Sequence, residues 1–327
     1  MGANSLRLQR ATTGDTVQWH EGELALADAF VLESGQILRN GRLVWQCVGP
    51  DAAPLIVVLG GISADRYCCA PDAAGWWESQ CGAGRALDSR RFRLLGIDWL
   101  GGSGDSSDAR GPQQPLEIST GDQARALLLL LNRLGVRQVH LLVGASYGGA
   151  VAQHLAALLG SRLRRLVVLC AAHRSSRFAL ALRHVQRAIL DLGTNSVAAL
   201  ALARSLALLG YRTAEGLERR FADADVLAWL THHGEAFTQR FDVHAYRCLG
   251  ASLDAHCIDP ASIRVPTTLL GIAEDFLVPR SLLRDFADAC GGACEWVQVS
   301  SEYGHDAFLK EEAVVSKLLR GALEDAA

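Results

Sequence analysis

The sequence predicts an α/β architecture: a mostly parallel sheet with helices on both faces and an inserted helical cap. Three observations carry that expectation. Continuous apolar runs such as Leu55-Ile56-Val57-Val58-Leu59 and Leu166-Val167-Val168-Leu169-Cys170 suit strands covered on both faces. Helical stretches alternate with these runs, which implies parallel pairing through right-handed crossovers. From Ala172 to about Ala261 the strand signal vanishes and Ala, Leu and Arg dominate, over a length too great for a crossover. The expected division is a core of residues 1–171 and 262–327 with a helical cap over 172–261.

Composition sets the outer bounds. Half of the 327 residues are apolar, enough for a sizeable core and incompatible with global disorder. The net charge is -3 and no basic block is present, so nucleic acid is not an expected partner. The apolar windows 139–160 and 197–209 are interrupted by His140, Gln153 and His154, or by Arg204, which speaks against a membrane span. Residues 1–7 lack the apolar stretch of a signal peptide, and the expected compartment is the cytoplasm. The nine cysteines form no C-x2-C pair and lack partners at zinc spacing, so they are expected to be reduced thiols and no metal is expected.

Taken in order, residues 1–20 are polar and expected to be frayed. Phe30-Val31-Leu32 and the run 43–48 read as strands, with Gly41 at the turn before the second. The run 55–59 ends in Gly60-Gly61-Ile62-Ser63, a flexible turn at a strand's carboxyl end. Residues 64–90 are rich in loops, and adjacent Trp76 and Trp77 cannot both face inward on a regular element. One of them is expected to line a pocket or pack a loop. The strand 92–98 leads into Leu100-Gly101-Gly102-Ser103-Gly104. That loop lacks G-x-G-x-x-G and a following Lys-Ser/Thr, which excludes dinucleotide binding and a P-loop.

Ser119-Thr120-Gly121-Asp122 caps a helix to about Leu134, with Leu127, Leu128, Leu131 and Leu134 on one face and Gly135 as its stop. Within the cap, helices are expected over 179–192, 196–209, 214–223 and 224–237. Arg204 lies in an otherwise almost wholly apolar run, so its charge needs a partner: an internal acid or a substrate carboxylate. The strand pattern returns over 265–272, followed by a helix, a short strand over 295–299 and a terminal helix.

The chemistry centres on Gly144-Ala145-Ser146-Tyr147-Gly148, a G-x-S-x-G turn between an apolar strand and a small-residue helix. A serine there is forced into a strained turn with its hydroxyl at the sheet's edge. A serine hydroxyl is a weak nucleophile at neutral pH and needs a base, and the base needs a carboxylate to fix its tautomer. The chain supplies Ser146, then Asp275 after a strand that follows the cap, then His305 in the loop after the last strand. This is the serine, acid, histidine order of α/β-hydrolases. Asp275 competes with Glu274, and as the start of the Asp-x-x-Val-Pro turn it is the better choice. His154, His173, His232, His233, His244 and His256 are expected to be surface or packing residues.

With these residues in view, the chain resembles the homoserine O-acetyltransferase family, acyltransferases with the α/β-hydrolase fold. The match rests on 59–63, Gly75-Trp76-Trp77-Glu78, 82–88, 100–104, Gly144-Ala145-Ser146-Tyr147-Gly148-Gly149 and 303–309. In the cap, Leu202-Ala203-Arg204, Tyr211-Arg212-Thr213 and Arg240-Phe241-Asp242 also fit. The chain departs from the family at Leu253-Asp254-Ala255-His256-Cys257, where Met-Asp-x-His-Asp is common. The resemblance implies that Ser146 takes an acyl group from acetyl-CoA or succinyl-CoA and passes it to the hydroxyl of homoserine, as a step of methionine synthesis. Some relatives acylate serine instead, and an esterase built on the same triad is the alternative. It further implies an oxyanion hole from backbone N–H groups of Tyr147 and of the Leu59-Gly60 turn. Arg204 would bind the amino acid's carboxylate and Asp306 its ammonium group. The expected partners are small molecules and a second copy of the chain, paired through cap helices.

Overall fold

The computed structural model describes residues 6–13, 17–70, 75–111, 114–222 and 225–326. The first strands are β1 (Leu6–Thr13), β2 (Val17–Ala25), β3 (Ala29–Val31), β4 (Ile37–Arg39), β5 (Arg42–Val48), β6 (Leu55–Leu59) and β7 (Arg93–Ile97). Helix α1 (Thr120–Arg133), β8 (Leu141–Ala145), α2 (Tyr147–Leu159) and β9 (Leu166–Leu169) complete the first half. Five helices follow: α3 (Arg177–Leu192), α4 (Ser196–Tyr211), α5 (Ala214–Arg220), α6 (Val226–Thr238) and α7 (Val243–Ala255). The chain then re-enters the sheet with β10 (Thr267–Ile272), α8 (Arg280–Ala289), β11 (Cys294–Val299), α9 (Ala307–Lys310) and α10 (Glu312–Asp325).

Among the described residues the main sheet has nine strands in the order β1-β2-β5-β7-β6-β8-β9-β10-β11. Every pair from β7 to β11 is parallel, and the three pairs on the β1 side are antiparallel. The central strands β6, β8, β9 and β10 are buried at every position. Full burial on both faces accounts for their unbroken apolar character. The parallel strands share one carboxyl edge, and Gly60, Ser146, Cys170 and Ala273 stand at or just beyond it.

Local chemistry sets the helix bounds. Ser119 accepts a hydrogen bond from the Asp122 N–H while the Asp122 carboxylate accepts one from the Ser119 N–H, a capping box that starts α1. Ser176, Asn195, Thr213, Asp225 and Asp242 cap the five inserted helices in the same side-chain-to-backbone manner.

Three expectations need correction. Residues 6–13 and 17–25 form an antiparallel hairpin that extends the sheet through β5, where fraying was expected up to residue 20. β2 is held by pairing with β5 and by distant partners, with Leu24 in the core, Trp19 against a second apolar cluster and Glu21 bonded to Arg66, none of which a polar local composition reveals. Residues 1–5 and 14–16 lie outside the described residues. The buried face of α1 runs through Leu127, Leu130 and Leu131, while Leu128 and Leu134 are only partly buried. The insert also holds a fifth helix, α7, beyond the four expected.

The glycine loop 100–104 folds onto Asp98. Asp98 takes the Arg66 guanidinium at 2.5 Å and the Asp105 N–H at 2.8 Å. Its own buried carboxylate thus organises the loop.

Candidate active site

Ser146 sits between β8 and α2 with φ of 52° and ψ of -116°. A positive φ is uncommon for a residue with a Cβ, and it turns the side chain out of the sheet's edge. Close backbone approaches at two glycines shape this edge. A Cβ on Gly148 would overlap the carbonyls of Leu59 and Gly60, and Gly148 donates its N–H to the Gly60 oxygen at 2.8 Å. The start of α2 and the turn after β6 are thereby locked together. Gly304, at φ 54°, lies where a Cβ would press on the Tyr211 carbonyl, so the loop carrying His305 reaches the insert.

Three side chains converge at this edge. His305 Nδ1 lies 2.7 Å from Asp275 Oδ2, and Nε2 lies 2.8 Å from Ser146 Oγ. A carboxylate can only accept, so Nδ1 carries the hydrogen and Nε2 is left to accept from the Ser146 hydroxyl. Asp275 is fixed in turn by the N–H groups of Leu277 at 2.8 Å and Val278 at 3.2 Å, both donating to Oδ1. Its competitor Glu274 faces away and bonds Ser300 Oγ and the Ser301 N–H. Histidine and aspartate are both buried, whereas Ser146 is half-buried and reachable.

The electrostatics favour a strong base. Burial by itself pushes the His305 pKa down, but the charge of Asp275, its hydrogen bond and the charge of Asp306 outweigh burial. The net shift is upward from the ordinary imidazole value. A base must be neutral to accept a proton, so activity is expected to rise through this raised pKa. The acid limb of the kcat/KM profile should therefore lie above pH 6.5. Asp275→Asn should lower the pKa of the His305 imidazole itself, followed by NMR titration, because the amide carries no charge; an imidazole titration unmoved by that change would contradict the assignment.

Two cavities meet at Ser146 and His305, and Ile62 and Tyr211 line both. One, of about 260 Å³, adds Trp76, Arg204, Arg240 and Asp306. The other, of about 80 Å³, runs under the insert past Ala150, Ser175, Arg183 and Leu253. Arg204 projects from α4 with its guanidinium 4.6 Å from the Phe237 ring centre and 5.5 Å from that of Tyr211. Among the described residues it has no acidic partner, so the first of its two expected partners is absent and its charge faces the larger cavity. Asp306 also borders this cavity, and Arg212 Nη2 contacts it at 2.9 Å. Of the tryptophan pair, Trp77 is buried and donates to the Phe308 carbonyl, while Trp76 stacks on it and lines the larger cavity.

Of the residues expected to shape an oxyanion hole, Tyr147 begins α2 directly after Ser146, and Leu59 and Gly60 abut Gly148. Sequence reasoning missed the packing behind them. The Tyr147 hydroxyl is 3.0 Å from Ser252 Oγ on α7 and accepts from Gln123 Nε2 at 3.2 Å. Trp99 packs edge-on against Tyr147 and donates to the Gly61 carbonyl at 3.2 Å. No pattern along the chain joins residues so far apart. Tyr211 and Arg240 were visible only as part of the family resemblance and had no role attached. Among the described residues no group of three or more His, Cys, Asp or Glu could hold a metal ion, and no single helix is long and apolar enough to cross a membrane.

Residues 54–312 match the family described as alpha/beta hydrolase fold. A homoserine O-succinyltransferase from Xanthomonas campestris is 39% identical over 301 residues, covering 87% of this chain and 79% of the relative. A homoserine O-acetyltransferase from Mycobacterium tuberculosis is 30% identical over 356 residues, covering 93% and 94%. The crystal structure of homoserine O-acetyltransferase from Staphylococcus aureus superposes with a TM-score of 0.81 at 25% identity, covering 98% of this chain and 95% of that one.

Proposed function

Because the chain belongs to the homoserine O-acyltransferases of the alpha/beta-hydrolase fold, and is an acyltransferase, we propose that it acylates the side-chain hydroxyl of L-homoserine. The donor is a CoA thioester, acetyl-CoA or succinyl-CoA, and the reaction is ping-pong. The observation that carries this reading is Arg204, a cation with no acid beside it among the described residues, lining one cavity with Ser146 and His305.

In the first half, Ser146 Oγ attacks the thioester carbonyl carbon while His305 Nε2 takes its proton. Asp275 stabilises the imidazolium that forms. Backbone N–H groups of Tyr147 and of the Leu59-Gly60 turn hold the tetrahedral oxyanion. The carbon–sulfur bond then breaks, the sulfur receives the proton from Nε2, and CoA departs. In the second half, the homoserine hydroxyl loses its proton to Nε2 and attacks the Ser146 ester, and Ser146 regains a proton as the O-acyl amino acid leaves. Arg204 holds the acceptor's carboxylate and Asp306 its ammonium group, so the acceptor occupies the space from which water would attack. The cap spans residues 172–261, on the core of 1–171 and 262–327.

Methionine biosynthesis in the cytoplasm is the setting this chemistry suits. Homodimer pairing through the cap is supported by Leu192, Val197, Leu202, Leu209 and Leu227, all exposed on or beside its helices. Serine as acceptor needs the same clamp around a side chain one methylene shorter. A hydrolase would use the same triad with water as acceptor.

Arg204→Ala tests the reading. It is expected to raise the acceptor's KM by roughly 10- to 100-fold, the worth of a hydrogen bond to a charged group, while acyl-enzyme still forms from acyl-CoA. Equal loss of both half-reactions would reject the acceptor role.

A further inference from the structure

The smaller cavity beside Ser146 has a charge that an acetyl group would not use. Its described lining carries two guanidiniums, Arg174 and Arg183, and no carboxylate. Arg183 donates from Nε to Asp254 Oδ1 at 2.6 Å and from Nη2 to Ser175 Oγ at 2.7 Å. Its Nη1 has no partner among the described residues. Asp254 does not neutralise the site, because its other oxygen takes Arg187 at 2.5 Å, leaving one carboxylate between two guanidiniums. Arg174 is exposed at the rim and makes no ion pair among the described residues. The one other basic group in the wall, apart from His305, is His256, whose pKa burial depresses to about 3, so it adds no charge. The charge of Arg183 reaches His305, whose pKa it opposes raising.

Size points the same way. A volume of about 80 Å³ holds on the order of five to eight water-sized groups, at about 10–15 Å³ each. An acetyl group on Ser146 would leave most of that space as water around the partly buried Arg183 guanidinium. A short acyl chain that ends in a carboxylate fills it and neutralises it. The acceptor clamp of Arg204 and Asp306 lies in the other cavity, so both groups can be present at once.

We propose that this cavity is the acyl pocket, and that Arg183, with Arg174 at its rim, receives the distal carboxylate of a dicarboxylic acyl group of the succinyl type. The inference rests on the acyl-transfer reading above and selects among its donors. Ser146 forms its ester through the thioester carbon, CoA leaves as the thiol, and the distal carboxylate is held without reacting.

The test is acyl-enzyme formation, followed by intact mass and thiol release, with succinyl-, butyryl- and acetyl-CoA and no acceptor. Butyryl matches the succinyl chain but ends in a methyl group. The wild type is expected to be charged by succinyl-CoA at least roughly 10-fold faster than by butyryl-CoA. Arg183→Gln should reduce that ratio by roughly 10- to 100-fold. Arg174→Gln, at an exposed position, should reduce it less but in the same direction. Because the readout is a ratio within one protein, general damage from losing the Asp254 contact lowers both rates and leaves it unchanged. Equal charging by succinyl- and butyryl-CoA, or ratios unmoved in both variants, would overturn the acyl pocket while leaving acyl transfer intact. No acyl-enzyme from any of the three thioesters would overturn both.

Discussion

Ser146→Ala is expected to lower kcat by about 10⁶-fold, the loss seen when the nucleophile is removed from a triad that acts as a unit. The geometry leaves no substitute. His305 Nε2 is 2.8 Å from Ser146 Oγ and aims at that atom; of its chain neighbours, Ala145 carries only a methyl group and the Tyr147 hydroxyl is engaged by Gln123 and Ser252. Alanine keeps the Cβ, so the strained turn at φ 52° survives and the variant should fold. Intact mass after incubation with acyl-CoA should show no adduct. An adduct at wild-type stoichiometry would place the nucleophile elsewhere.

Asp275→Asn is expected to cost about 10⁴-fold in kcat with little change in fold. Asparagine can keep an oxygen toward the N–H groups of Leu277 and Val278, so the loop should stay closed. Its NH₂ would then face His305 Nδ1 and donate to it. The ring must respond by carrying its hydrogen on Nε2, where it cannot take the proton of Ser146. Loss of the charge also removes what outweighs burial at His305. Raising the pH should therefore not restore the rate, since the tautomer is wrong at every pH. A loss of less than about tenfold would mean that the carboxylate is not the orienting group.

How much was legible along the chain follows from what each element is held by. Strands β6, β8, β9 and β10 are buried on both faces, so their sequences had to be apolar and could be read directly. The β1–β2 hairpin joins the sheet through β5, and β2 is anchored by partners as distant as Arg66, which local composition does not reveal. The preference for Asp275 over Glu274 came from its turn, and that turn is what holds the Asp275 carboxylate while Glu274 bonds Ser300 and Ser301. Arg204 was singled out because a charge in an apolar helix demands a partner, but which partner depends on a cavity built from distant segments. The same limit hid Arg183. It lies in an arginine-bearing amphipathic helix, where a solvated face is the commoner fate, and only the packing of α3 on α7 through Asp254 turns it toward the cavity.

Transfer to an amino acid, as opposed to water, is the central claim, and the rate of CoA release tests it most directly. Release from acyl-CoA is to be followed with and without L-homoserine, and with L-serine as the comparison. The acyl-transfer account predicts that homoserine speeds steady-state release well beyond the rate in buffer, by at least about tenfold, with O-acylhomoserine as the product. On that account Arg204 and Asp306 hold the acceptor so that its hydroxyl turns the acyl-enzyme over. A rate that no amino acid accelerates, with free acid as the product, would make the chain a hydrolase and contradict the account.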